Sequence, residues 1–344
     1  MGKLNILLTS VGRRSYLVDY FKKALNGQGV VHAANSSPFS PAFNLADQTV
    51  VTPLIYDDGY IDFLIGYCKE NEIKAVISLF DVDLLVLSQN KDRFRENGIS
   101  VIVSDEEVIT VCNDKWNTYQ YLISHGFNAP PSFLTVEYAL AAVESGDISF
   151  PLIVKPRWGM GSIGLYDVSD EEELRCLFNK VRKDIQKTYL KYESAKTPDN
   201  CVIIQQKING QEYGLDVINN LTGDYINTSV KKKAAMRSGE TDCAVTVDKP
   251  ELKAVGEKLS GCLHHIANLD VDVFVDNEKI YVLEMNARFG GGYPFSHIAG
   301  VNLPQAIVNW LLDVEAPKEL FEPQIGIMAQ KDINMVELNA AEDK

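Results

Sequence analysis

Short apolar runs alternate with stretches of helical period through the first third of the chain. Residues 4–9, LNILLT, form a run of strand length. In SVGRRSYLVDYFKKAL after it, apolar side chains recur at helical spacing through Tyr16, Leu17, Tyr20, Phe21 and Leu25. VVHAAN and QTVVTP read as strands, YIDFLIGYCKENEI as a helix, KAVISLF as a buried strand, VDLLVLSQNKDRFRENG as a helix closed by Gly98, and ISVIVS as the next strand. This alternation predicts a parallel, doubly wound α/β sheet, a Rossmann-like unit that ends near Cys112.

The pattern then changes. NDKWNTYQYLISHG is a helix with Asn113 and Asp114 as its capping signal and Gly126 as its stop. FPLIVKPRWGMGSIGLYDV predicts strand, glycine-rich loop and strand, DEEELRCLFNKVRKDI a helix, and CVIIQQKINGQEYGLDVIN a strand with a turn at Asn209-Gly210. DYINTSVKKKAAMRSGETDCAVTV mixes strand with a basic loop, and PELKAVGEKLSGCLHHIAN is a helix. LDVDVFVDNEKIYVLEMNARF is a hairpin, LPQAIVNWLLD a helix and IGIMAQK a last strand. No internal repeat or low-complexity linker interrupts the series.

Composition narrows the function. The 344 residues carry 33 basic and 47 acidic side chains, a net charge of −14, which argues against nonspecific nucleic-acid binding. No apolar run approaches the roughly 20 residues of a membrane span, and no signal segment opens the chain. The six scattered cysteines, without a C-x-x-C pair, are expected to be reduced thiols of a cytoplasmic protein. His264-His265 lacks ligands at zinc spacing and reads as a helix-surface pair.

The chemistry concentrates in the hairpin. In DVDVFVD, Val271, Val273 and Val275 alternate with Asp270, Asp272 and Phe274. With Asn277-Glu278-Lys279 as the loop, Asp272 falls opposite Glu284 and Asp270 opposite Asn286. Cross-strand carboxylates roughly 5 Å apart repel, so a cation belongs between them, or else the face is a solvated strand edge. Mg²⁺ suits this set, because it takes hard oxygen ligands and fills its other positions with water and phosphate. Arg288 adds a fork for a phosphoryl group, just before Gly290-Gly291-Gly292. Upstream, Lys155 ends the run LIV before a loop whose Gly159, Gly161 and Gly164 let backbone approach a phosphate. No Gly-Lys-Ser/Thr closes that loop as a P-loop would, and TSVGRR has one glycine where a dinucleotide fingerprint has three. Arg13 and Arg14 either hold an anionic substrate at the crevice of the first sheet or are solvated at a helix start.

This order of elements, with NDKW, VKPRWGMGS, IIQQKINGQEYGLDV and E-x-N-x-R, resembles the ATP-grasp superfamily, in its branch similar to the carbamoyl-phosphate synthase large subunit. The resemblance implies a Rossmann-like pre-ATP-grasp domain over 1–112 and a two-lobed α+β ATP-grasp fold, with an N-terminal lobe over 113–206 and a C-terminal lobe over 207–344. It implies ATP and Mg²⁺ as cofactors, with Mn²⁺ an acceptable substitute. Lys115 and Lys155 would meet the nucleotide phosphates, with Gly159, Gly161 and Ser162 in the loop over them. Gln205, Lys207 and Ile208 would meet adenine, and Glu212 the ribose. Asp272, Glu284 and Asn286 would hold the metal. Arg288 and Lys155, with Lys231 and Arg237 and also Lys233, would face the transferred group or a substrate carboxylate. Two positions depart from the pattern: Gln205 stands where Glu is frequent, and Ala287 where N-P-R has proline.

The implied activity is an ATP-dependent carboxylate–amine ligase that works through an acylphosphate and releases ADP and phosphate. Carboxyphosphate or carbamoyl-phosphate formation and a non-catalytic ATP-binding subunit stand as alternatives. Small-molecule carboxylate and amine partners are expected, without nucleic acid or membrane. A homodimer is open, and the source of ammonia or amine is not specified. Arg13, Arg14, Asp81 and Asp83 are candidates for the acceptor site, and His297 is either a proton carrier there or a structural residue.

Overall fold

The computed structural model describes residues 3–159 and 163–338. The first sheet is wholly parallel, in the order β3-β2-β1-β4-β5. Its strands are β1 (Asn5–Thr9), β2 (Val31–Asn35), β3 (Gln48–Val51), β4 (Ile73–Ser78) and β5 (Ser100–Ile102). All five residues of β1 are buried, as expected of a parallel strand covered on both faces. Helices α1 (Ser15–Leu25), α2 (Tyr60–Glu70), α3 (Asp81–Gln89) and α4 (Lys91–Glu96) complete the unit. Strand order reverses between β1 and β4, so the segments leaving their carboxyl ends open a crevice, the usual ligand position of such sheets. Arg14 follows β1 there, and Asp81 follows β4.

Helices α5 (Glu106–Asn113) and α6 (Lys115–Ser124) lead onward, and Asp114 caps α6 by accepting from the amides of Trp116 and Asn117. A four-stranded antiparallel sheet of β6 (Ser132–Phe133), β7 (Leu152–Pro156), β8 (Tyr166–Val168) and β9 (Val202–Gln206) follows in the order β6-β9-β7-β8. Its helices are α7 (Val136–Glu144), α8 (Glu171–Ile185) and α9 (Leu190–Ser194). A six-stranded antiparallel sheet closes the fold: β10 (Gln211–Asn219), β11 (Tyr225–Arg237), β12 (Glu240–Thr246), β13 (Asn268–Asp276), β14 (Lys279–Asn286) and β15 (Met328–Gln330). Val271 and Val273 point from β13 into a core shared with Leu252 and Leu259 of α10 (Pro250–Leu263) and with Leu122 of α6. Each such burial contributes roughly 1.5–3 kcal/mol. Helices α11 (Tyr293–Ile298) and α12 (Leu303–Leu311) return to the first domain, where Tyr293 and Ile307 share a core with Leu17 and Phe21.

Three expectations are corrected. The basic segment KKKAAMR is not a loop but the end of β11, so alternation buries Lys231 and Lys233 and exposes Lys232. The hairpin turn is Asn277-Glu278 alone, both at positive φ, and Lys279 already pairs with Asp276. That shorter turn would put Asp272 opposite Leu283; a bulge that leaves Leu283 unpaired restores Asp272 opposite Glu284 and Asp270 opposite Asn286. Finally, His264 caps α10 in the left-handed region, but His265 is fully buried and bonds the Val217 carbonyl, so the two do not share a helix surface. All six cysteines are unpaired, and Cys176 is exposed. Among the described residues no helix is long and apolar enough to cross a membrane.

Candidate active site

A cleft of about 1710 Å³, its open mouth included, separates the four-stranded from the six-stranded sheet. Ile153 and Leu165 wall one side, Phe274 and Leu283 the other. These apolar walls escaped the sequence reading, although the alternation that marks Asp272 also places Phe274 on its face. Gln205, Lys207 and Ile208 run along the connection between the sheets. Lys207 Nζ turns outward to Asp167 at 2.8 Å, which leaves its backbone to the cleft. Gln205 is buried, and its Nε2 donates to Ser132 Oγ at 2.9 Å. The Ser132 hydroxyl donates to the Pro130 carbonyl, so toward Gln205 it can only accept. The amide orientation is thereby set, and the buried Gln205 Oε1 has no donor among the described residues.

Cations gather at one end of the cleft. Lys155, near the end of β7, is 6% exposed. Burial, and then the like charge of Lys115, lower its pKa to about 8, against the pull of Glu284 and Asp272. Lys115 opens α6 and donates to the Gly159 carbonyl. Its position depends on two residues outside the sequence-derived set: Arg157 grips Asp114 through Nε at 2.7 Å and Nη2 at 2.6 Å and lies over Trp158. Gly159 takes φ +104, and a side chain there would strike Leu190. Gly161 and Ser162 lie outside the described residues.

The face of the six-stranded sheet opposite these lysines carries a chain of paired charges. Lys233 Nζ sits between Glu212 Oε1 and Asp272 Oδ1, 2.7 Å from each, so Glu212 is tied to a lysine rather than free in the cleft. Lys231 is paired with Asp216 and donates to Ser296 Oγ at 3.0 Å. Gly214 lies between them, where an added Cβ would just touch both lysine stems, at 3.4 and 3.5 Å. Burial raises Asp272 to about 7; Lys233 opposes the rise, and Asp270, Glu284 and Glu212 reinforce it. Burial would raise Glu284 too, but Lys115 and Lys155 outweigh it and hold that carboxyl below its usual range. Asn286 turns its amide nitrogen to Glu284 at 3.4 Å. Among the described residues no three His, Cys, Asp or Glu side chains converge as a metal cage. The donor set is instead two carboxylates in cross-strand register with one amide oxygen, which fits a magnesium ion completed by water and phosphate.

Beyond Glu284 a second cavity, about 660 Å³ with its opening to solvent included, is lined by Arg14, Lys231, Lys233 and Arg288 and by Glu240, Asp270, Asp272 and Glu284. Arg288 is held by Asp81 and by Asp270, the latter at 3.0 Å. Arg14 donates to the carbonyls of Leu79 and Phe289. Arg13 is exposed and lines neither cavity. Arg237 also lines neither, and is paired with Asp242 at 3.0 Å. Asp83 is fully buried among Thr9, Ser10 and Ser78 hydroxyls, a structural network rather than an acceptor site. His297 stacks on Tyr20 at 3.6 Å, and burial lowers its pKa to about 4. It lines none of these cavities. The glycine run also has a different first purpose: a Cβ on Gly290 would fall 2.0 Å from Asp270 Cγ, while Gly291 and Gly292 do line the cavity.

A third cavity, about 470 Å³ with its opening to solvent included, lies between the first domain and α9 and is lined by Asp81, Lys115, Tyr189, Glu193, Glu284 and Asn286, among others. Among the described residues Glu284 alone lines all three.

Residues 112–292, more than half of the chain, match the family model described as ATP-grasp domain, and residues 6–102 match PylC-like, N-terminal domain. Among solved structures, the biotin carboxylase domain dimer of 2-oxoglutarate carboxylase from Hydrogenobacter thermophilus, in complex with MgADP, ADP and bicarbonate, is similar at TM-score 0.72 and 16% identity. That match covers 95% of this chain and 73% of the other. L-amino acid ligase from Bacillus licheniformis is similar at TM-score 0.69 and 21% identity, over 95% of this chain and 79% of that one. N5-carboxyaminoimidazole synthetase from Staphylococcus aureus, complexed with ADP, reaches 0.69 at 16% identity, over 92% and 79%. At these identities the likenesses establish the fold.

Proposed function

The chain belongs to the ATP-grasp domain family, and from that premise we propose that it is an ADP-forming carboxylate–amine ligase. The observation that carries the reading is the meeting of three unlike cavities at Glu284: an apolar cleft ending in lysines, a cavity where four cations are matched by four acids, and one in which acids outnumber cations. The cleft suits a nucleoside triphosphate. Gln205 Oε1, an acceptor without a donor, matches the adenine amino group and would oppose the carbonyl of guanine. The ring would lie between Ile153 and Leu165 on one side and Phe274 and Leu283 on the other, and the phosphates would reach Lys115 and Lys155, which line the same cleft. Glu212 is the candidate for the ribose hydroxyls. Mg²⁺ held by Asp272, Glu284 and Asn286 would supply charge neutralisation at the phosphoryl oxygens.

The second cavity offers a substrate carboxylate the cations Lys231, Lys233 and Arg288. A carboxylate oxygen attacks the γ-phosphorus, and the bond to the leaving oxygen of ADP breaks. The amine nitrogen then attacks the acyl carbon, the bond to phosphate breaks, and the nitrogen loses its proton. This chain's residues supply position and charge rather than a protein nucleophile: Lys115, Lys155 and Arg288 offset the charge of the transferred group.

The experiment is release of ADP and phosphate from Mg·ATP against pooled carboxylates crossed with pooled amines, with bicarbonate as a separate arm. Release that requires both pools is the expected result. AMP and pyrophosphate would overturn the acylphosphate mechanism. Release with bicarbonate in place of the carboxylate pool would assign carboxyphosphate chemistry instead.

A further inference from the structure

We infer that the third cavity is the seat of the amine substrate, which it recognises as an ammonium ion through Asp81 and Glu193. The inference rests on the ligase reading and adds the charge state of the second substrate and the side from which it meets Glu284. The bound ammonium passes one proton to a carboxylate of the cavity before its nitrogen, then bearing a lone pair, attacks the acyl carbon.

Asp81 is 6% exposed, and both donors it receives from Arg288 fall on Oδ2. Its Oδ1 is buried without a donor among the described residues, although Asp81 lines the cavity. A buried carboxylate oxygen left in that condition is unfavourable unless something else supplies the donor. Glu193 stands on the same lining and receives only a long bond, 3.5 Å, from the Tyr56 hydroxyl. The ring of Tyr189 completes this wall. Burial, followed by the charges of Asp81 and of Glu193, pushes the Tyr189 hydroxyl up to about 12, so both acids act on one ring.

The charge balance of the lining points the same way. Asp81, Glu193 and Glu284 face the single cation Lys115 among the described residues, and that lysine's Nζ is directed at the Gly159 carbonyl. On the other side of Glu284 the neighbouring cavity is lined by Arg14, Lys231, Lys233 and Arg288. That cavity also carries Glu240, Asp270, Asp272 and Glu284, so its charges balance, whereas acids outnumber cations in the third; the two share only Glu284 and Asn286 among the described residues. A primary ammonium is compact, carries three donors and no acceptor, and is stabilised against an aromatic face. Those are the properties that Asp81 Oδ1, Glu193 and Tyr189 together lack in a partner. A carboxylate or a phosphate would be repelled by the same set.

The test uses the full chain with Mg²⁺ and a non-hydrolysable ATP analogue, and follows n-butylamine and N-butylacetamide by saturation-transfer NMR. The expected result is saturable binding of butylammonium, weakened at least tenfold by Glu193→Gln, and no saturable binding of the neutral acetamide. Glutamine keeps an acceptor for Tyr56, so this variant should fold. Asp81→Asn should weaken butylammonium as well, and Glu193→Gln keeps the question answerable if that variant is unstable. Equal binding of the acetamide, or butylammonium binding indifferent to Glu193→Gln, would overturn the inference. Failure of the ligase reading would appear elsewhere, as absent nucleotide binding or absent ADP release with both substrate pools, while the butylammonium measurement still reads the cavity.

Discussion

Asp81 Oδ2 accepts from both Nε and Nη2 of Arg288 at 2.9 Å, although 207 positions separate the two residues in the chain. The contact ties the carboxyl end of β4 in the first domain to the segment just past β14. Both side chains are buried, so removing Asp81 leaves the buried Arg288 with Asp270 as its one remaining carboxylate. Asp81→Ala is expected to lower stability by roughly 3–5 kcal/mol. The urea midpoint checks this, and an unchanged midpoint would mean that Arg288 finds water or another acceptor at the junction.

Glu284→Gln keeps the shape of the side chain and removes a charge from the place where all three cavities meet. ADP release with both substrates present should fall by about 10²–10³-fold, a typical loss for one preorganised electrostatic group. Its Tm in the absence of nucleotide should stay close to that of the unaltered protein. Full activity in this variant would remove Glu284 from the metal site.

Lys155 makes nucleotide affinity depend on pH. Its pKa in the free protein is about 8, so the neutral form gains as pH rises above that value. A polyphosphate prefers the charged form, and Kd should weaken by up to roughly tenfold per unit above about pH 8. Lys155→Arg stays charged and should flatten the profile, measured by calorimetry across pH 7 to 9.5 or so. The contribution of Lys155 to stability has the opposite sign. Between about 8 and 10.5 the unfolded chain binds more protons at this residue, so stability rises with pH there. A profile that is flat in the unaltered protein would show that Lys155 is charged throughout.

Ser132 does not line the cleft, yet it is expected to act on base selectivity through Gln205. Its hydroxyl is committed to Pro130, which forces the nitrogen of Gln205 toward it and the oxygen toward the cleft. Ser132→Ala frees the amide to turn over. The preference for ATP over GTP, read as the ratio of kcat/KM values, should then shrink by about tenfold, the equivalent of one hydrogen bond. An unaltered ratio would assign selectivity to the backbone of Lys207 and Ile208.

Gly290→Ala inserts a methyl group where Asp270 Cγ already sits, 2.0 Å from the new atom. The short aspartate side chain cannot move aside without releasing its 3.0 Å bond to Arg288. A loss of about 1–3 kcal/mol is expected from overpacking, together with weaker carboxylate binding. Gly291→Ala should be milder, because it meets the flexible end of Glu240.

Much of this site could be read before any coordinates, because its parts are local in the chain. Period-two alternation put Asp270, Asp272, Glu284 and Asn286 on one face, and cross-strand pairing is a short-range consequence of a hairpin. Even so, the expected three-residue loop was wrong, and the register survived because Leu283 bulges. The lysines of KKKAAMR show the converse error: charge and a nearby glycine suggested a loop, while pairing with β10 and β12 makes the segment a strand. Arg157 and Asp114, which position Lys115, had no sequence signal stronger than a capping aspartate.

What the sequence determined by itself was the set of elements, the charged hairpin face and the family-like order of lysines, glycines and acids, since each depends on neighbours within a strand or a turn. Only the tertiary structure decided which charges are available. Arg14 and Arg13 are adjacent in sequence, yet one lines a cavity and the other faces solvent. Asp81 and Asp83 likewise divide between an interdomain contact and a buried hydroxyl network. Such choices depend on contacts between residues far apart in the chain, where burial and partner set the energy of a charge, and no local pattern records them.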